Sequence, residues 1–185
     1  MELDEILPNP DFQESHERLI AAPPDATWEA LMEVSPRDLP LTCALMAVRL
    51  LPAIMKLDLR RQRDMLSRSF VKNAPIPLLA VTEGHRILTG GVLQPWKLRG
   101  GEKPPALSSA ALRAFDQPGW VKCGMDFELA PEAGGTRLTT RTSITATDPG
   151  TRARFGRYWT FVRPGSGLIR VELLRAVAKK AVQKA

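Results

Sequence analysis

The chain reads as an α+β protein: an antiparallel sheet closed by a long C-terminal helix, with a pocket between them. Three observations lead there. GWVKCGMDFELA, residues 119–130, sets Val121, Cys123, Met125, Phe127 and Leu129 on one parity and Lys122, Asp126 and Glu128 on the other. That is the period of a strand with one buried and one wet face. After the loop PEAGG, TRLTTRTSITAT repeats the pattern, with Leu138, Ile144 and Ala146 on one parity and Arg137, Arg141 and Ser143 on the other. Its threonines suit a pleated, half-buried surface. Beyond it, Phe155, Trp159, Val162, Ile169, Leu173 and Val177 fall near one face of a helix that runs almost to the C-terminus. The strands present an apolar face that needs a lid, and this helix supplies it.

The remaining elements follow in order. SHERLIAA predicts a first strand. APPDATWEALMEV predicts a helix, with Pro24 near its start, Asp25 in its first turn, and Trp28, Leu31 and Met32 sharing a buried face. SPRD leads to a second helix, LPLTCALMAVRLLPAIM, whose only charge is Arg49. The run is short for a membrane span, and Arg49 and Pro52 interrupt it, so a buried or pocket-lining helix is expected. KLDLRRQRDMLSRS has no clean period and reads as a connector or an exposed extension. PIPLLAVTEGHRILTGGVLQPW predicts a hairpin turning at TEGH, with a bend or bulge at Gly90 and Gly91. WKLRGGEKPPA is a loop, and Ser108 or Ser109 can cap a short helix, AALRAF, that DQPG ends. Pro164 predicts a kink in the last helix, or two helices nearly in line.

With 185 residues, residues 1–185 are expected to form one domain, its core at about 12–181. A hydrophobic content of 44% and a charged content of 25% are those of a soluble globule. MELDEILPNPDF is acidic and lacks the apolar stretch of a secretory signal. Cys43 and Cys123 lie in apolar surroundings without metal-ligand spacing, as thiols do in a reducing, cytoplasmic compartment; a bridge between them could form but has no support in the sequence. The net charge of +6 is uneven: from Thr151 to Ala185, nine cations face the single Glu172, a local +8 that leaves −2 for the first 150 residues. Such a helix could meet an anionic membrane or nucleic acid; the plainer reading, a solvated outer face, is favoured over both.

The order of elements, with PPDATWEAL after the first strand, resembles the helix-grip fold of the START-like, Bet v 1-like superfamily (SRPBCC proteins). There the first strand is commonly followed by a Pro-acidic-x-x-Trp helix start, here Pro24, Asp25 and Trp28. GTRLTTRTSITATD followed by RFGRYWTFVRPGSGLIRVELLRAV looks like uncharacterised bacterial members of the group, over about Phe12 to Ala181. The resemblance implies a curved sheet wrapped around the last helix, an apolar cavity, and a lipid-, sterol-, polyketide- or hormone-like ligand. Some members are cyclases or aromatases and some assist other proteins. The matching motifs belong to the fold and mark no active site, so they carry over no catalytic residue.

The candidate site residues are therefore cavity-lining ones. His16 shares the parity of Phe12, Glu14, Arg18 and Ile20 and could face the pocket as an acid or base, or be an ordinary hydrogen-bonded histidine. Arg49 could meet a ligand carboxylate or reach water. Cys123, Met125 and Phe127 would line the pocket, and Thr140 and Thr142, if their parity is the inner one, would add two hydroxyls to it, although threonine also simply suits a strand. Trp96, Trp120 and Trp159 could close the ends, though an aromatic at helical spacing such as Trp159 more often simply packs. His85 belongs to a solvated turn. No metal cluster, P-loop, dinucleotide fingerprint or nucleophile elbow is present, so neither a metal nor a cofactor is expected. The favoured reading is a carrier or sensor for a small apolar or amphipathic ligand. A cyclase, aromatase or dehydratase is the first alternative, weakened by the want of an acid/base pair. A protein using its basic C-terminal helix against an anionic partner is the second.

Overall fold

A computed structural model describes residues 2–45, 69, 76–97 and 104–185. Its sheet has five strands: β1 (Phe12–Ile20), β2 (Leu78–Thr82), β3 (Arg86–Leu93), β4 (Val121–Glu132) and β5 (Gly135–Ala146), in the order β1-β5-β4-β3-β2. Four labelled helices accompany it: α1 (Leu3–Ile6), α2 (Pro24–Glu33), α3 (Ser109–Ala114) and α4 (Pro149–Lys184). Residues 40–45 are helical, beginning the second helix expected from the sequence. The rest of that helix, with Arg49, and most of the charged connector after it lie outside the described residues. The architecture is α+β, an antiparallel sheet with a long C-terminal helix on it, the helix-grip arrangement.

The chain gathers into two compact units. One draws on Met1–His16, Pro75–Glu128 and Thr139–Pro164, the other on Glu17–Ala74, Leu129–Leu138 and Gly165–Ala185.

In the first unit, Ile87, Thr89, Gly91 and Leu93 of β3 stand opposite Phe127, Met125, Cys123 and Val121 of β4. This parity is the face under α4: Val121, Cys123, Ile144 and the buried Phe155 form one cluster, joined by Phe12, Leu93, Trp96, Tyr158 and Trp159. The helix start is tied to the sheet by Asp148, which accepts the Thr151 N–H at 2.8 Å, the Thr151 hydroxyl at 2.6 Å and the Gly119 N–H at 2.8 Å. These donors hold its carboxyl down at about 2.

The opposite face is not the wet one that the sequence pattern suggests. Leu3, Ile6 and Leu7 from the N-terminal segment, Leu112 of α3 and Trp120 pack there against Leu88 and Val92. Trp120 therefore belongs to this second cluster, edge-on to Phe115 at 6.2 Å, and not to the α4 face. Gly90 and Gly124 pair in register beneath these side chains. A Cβ on Gly90 would come within 2.6 Å of Leu79 and 2.9 Å of Leu112, and one on Gly124 would collide with Leu3. The Gly90–Gly91 signal thus marks close packing rather than a bulge in the β3–β4 ladder, which runs without a shift; the irregularity lies on β2, between Leu78 and Ala80. Charges on this face are paired: Arg86 with Glu2 at 3.0 Å and Glu128 at 2.7 Å, Arg141 with Asp4 at 2.8 Å and Asp126 at 3.2 Å. Burial pushes the Asp126 carboxyl up, and Arg141 offsets this only in part.

In the second unit, the β4–β5 turn is tighter than the five-residue loop expected. Only Ala133 and Gly134 separate the strands, because Gly134 and Gly135 take φ of 90° and 146°. Leu31, Val34 and Leu39 are buried with Leu173, Val177 and Ala181 of α4. Glu172 accepts the N–H groups of Leu41 and Thr42 at 2.7 Å and the Thr42 hydroxyl at 2.6 Å, capping residues 40–45. Burial opposes its ionisation, yet these donors hold its carboxyl below the ordinary value. Helix α4 continues through Pro164. Thr160, whose carbonyl loses its donor there, is exposed, so water can serve it.

Candidate functional site

The candidate site lies in the first unit, on the α4 side of the sheet. Period-2 geometry delivers its residues strand by strand. From β4 come Cys123 and Met125, each 6% exposed, and the fully buried Phe127. From β5 come the buried Thr140 and Thr142, on the parity of Ile144. From β1 come Phe12, Glu14 and His16, alternately shielded between the exposed Gln13, Ser15 and Glu17. Phe12 fixes which face this is, since its ring meets Phe155 of α4 edge-on at 5.0 Å.

Aromatic rings form one end of the site around Phe155. Trp159 stacks on it at 5.7 Å, Tyr158 tilts against it at 5.8 Å, and Trp96 meets it edge-on at 6.4 Å. The deeply buried ring is Phe155; Trp159 is half-buried. The Arg154 guanidinium lies over the Trp96 ring at 6.0 Å.

Next to the rings the face turns polar. His16 Nε2 lies 3.1 Å from Glu14 Oε1, the two side chains 25% and 11% exposed. The pattern E-x-H on one strand parity is the sequence signal for this pair. Three buried polar atoms here have no hydrogen-bond partner among the described residues: Glu14 Oε2, Thr140 Oγ1 and Trp96 Nε1. An unsatisfied buried polar group costs about 1–3 kcal/mol. By contrast, the Thr89 hydroxyl is used internally, donating to the Met125 carbonyl at 3.2 Å.

The structure thus puts Trp96, Cys123, Met125, Phe127, Thr140, Thr142, Trp159 and His16 on one side of the sheet and adds Glu14, Phe12, Phe155 and Tyr158. Arg49 lies outside the described residues. His85 sits in the β2–β3 turn, 3.9 Å from Glu128 and half exposed, away from this face. A separate cleft of about 280 Å³, lined by Ile6, Leu7, Pro8, Asn9, Arg113, Lys122 and Thr145, contains none of the expected cavity residues.

The basic segment from Thr151 onward is less free than its sequence suggests. Arg152 pairs with Asp11 at 3.0 Å, Lys180 with Asp38 at 3.2 Å, and Lys184 with Glu29 at 3.0 Å and Glu33 at 2.8 Å. Among the described residues no group of His, Cys, Asp and Glu could hold a metal ion, and no helix is long and apolar enough to cross a membrane.

No family model and no curated protein matches the chain. Solved structures with a similar course include protein MLL2253 from Mesorhizobium loti, at 17% identity and a TM-score of 0.42, covering 91% of this chain and 98% of that one. Protein CV1439 from Chromobacterium violaceum follows at 13% identity and 0.37, covering 90% and 95%. Ara h 8.0201 is similar at 11% identity and 0.29, covering 93% and 98%. Backbone agreement at this level carries no functional reading, which must come from the side chains.

Proposed function

We propose that this chain is a START-like, Bet v 1-like protein that binds a small apolar or amphipathic molecule between the inner sheet face and α4, as a carrier or sensor. The observation that carries the reading is the composition of that face. Apolar and aromatic side chains dominate it, and three buried polar atoms, on Glu14, Thr140 and Trp96, have no partner among the described residues. Ligand sites are built this way: apolar walls supply affinity and a few polar groups fix orientation. Burial of apolar ligand area contributes about 25 cal/mol per Å², offset by the cost of association, so micromolar binding needs no charged contact.

The anionic-surface reading loses three of the nine cations of residues 151–185, since Arg152, Lys180 and Lys184 pair with acids of the same chain. The test is titration with the neutral fluorophore Nile red. Saturable binding that persists at high salt and is blocked by Thr140→Trp or Met125→Trp supports the reading. Binding seen only at low salt and lost on removing Lys179, Lys180 and Lys184 would replace it with the surface reading.

A further inference from the structure

We infer that the occupant carries a hydrogen-bond donor, an alcohol or amine head on an apolar body, and that the site discriminates against carboxylates. The inference rests on the binding reading above and adds the head-group chemistry.

The two oxygens of Glu14 are in different situations. Oε1 faces His16 Nε2 at 3.1 Å. Oε2 is buried and has no partner among the described residues. A carboxylate oxygen can only accept, so what satisfies it must donate. His16 sits two residues along the same strand, on the same face, and pins the carboxylate through the other oxygen. That makes it a positioning residue, and the direction of the free oxygen follows from it.

The surroundings fix where the ligand's body would lie. Phe12, two residues before Glu14, is about 7 Å back along the strand, where it joins the Phe155 cluster. An apolar body against those rings brings its head beside Glu14. Thr140 lies on the neighbouring β5, on the inner parity, with its hydroxyl free to accept from the same head or donate to it. An alkanoate head would offer no donor and would set like charge against Glu14.

Competition against Nile red with dodecylamine, dodecanol and dodecanoate, each as monomers in solution, tests this. The amine and the alcohol are expected to displace the probe at concentrations at least about tenfold lower than the alkanoate, the gap a charge-assisted hydrogen bond supports. Glu14→Gln should shrink that gap, read as the ratio of the amine's to the alkanoate's displacing concentration within the variant. His16→Asn should shrink it partially, which a purely structural role for His16 would not do. If the wild-type protein takes the three heads equally, or prefers the alkanoate, while Thr140→Trp still blocks Nile red, the head-group inference is wrong and the binding reading stands. If Nile red fails to bind the wild-type protein, both are wrong.

Discussion

Asp148 accepts the Gly119 N–H at 2.8 Å, joining the residue that starts α4 to the chain entering β4. The same carboxyl caps Thr151, so a single side chain sets both the helix start and its seat on the sheet. Removing it with Asp148→Ala should lower Tm, and Asp148→Asn should lower it less, since an amide oxygen still caps. The wild-type advantage over Asn should depend on acid. The folded value, about 2, lies below the ordinary 3.8, so the stabilisation is full above about pH 4 and fades as pH falls towards 2. Thermal melts across that window check it; an advantage that grows with acidification would contradict it.

Gly135→Ala should be among the most damaging small substitutions in the chain. Its φ of 146° is unfavourable for any L side chain, and the new Cβ would meet the Ile20 carbonyl oxygen. A loss of more than about 2 kcal/mol in urea unfolding is expected. A loss below about 0.5 kcal/mol would mean the turn can be rebuilt.

Gly124→Ala tests how the N-terminal segment docks. The added methyl group would displace Leu3 and crowd Leu7, and overpacking of this kind costs about 1–3 kcal/mol. Because Leu3 belongs to α1 and not to the sheet, the first effect should be earlier proteolysis within residues 2–11. Unchanged proteolysis with a lowered Tm would place the strain in the sheet instead.

The β4 and β5 strands and the capped helix at Ser108 were legible because each announces itself locally. Alternation at Val121, Cys123, Met125 and Phe127 fixes one buried parity, and Ser108 accepts from the Ala111 N–H as its position suggests. The covering of the other sheet face was not legible. Asp126 reads as a surface residue, yet it is 2% exposed, because Arg141 of the adjacent β5 pairs with it and the N-terminal segment, from far along the chain, packs over this face. Leu3, Ile6 and Leu7, at helical spacing in an acidic stretch, were the available signal. The Glu14–His16 pair needed only the strand parity; the unpartnered state of Glu14 Oε2 and Thr140 Oγ1 needed coordinates, since nothing in a sequence shows which buried atoms lack a partner.

Cys123 reports on the inner face directly. Its thiol is buried beneath α4, so labelling should reach it only through opening of the structure. Cys43 is half-buried, and burial together with nearby Glu172 pushes its thiol up, so it too should react slowly at neutral pH, though ahead of Cys123. Rapid modification of Cys123 in the Cys43→Ser background would show that the face is open to solvent.

The binding proposal places a ligand between the inner sheet face and α4. Titration of the wild-type protein and Thr140→Trp with Nile red, at low and high salt, tests it most directly. The expected result is saturable binding to wild type at both salt concentrations and its loss in Thr140→Trp, with circular dichroism showing the variant folded. Equal binding by the two folded proteins would contradict it.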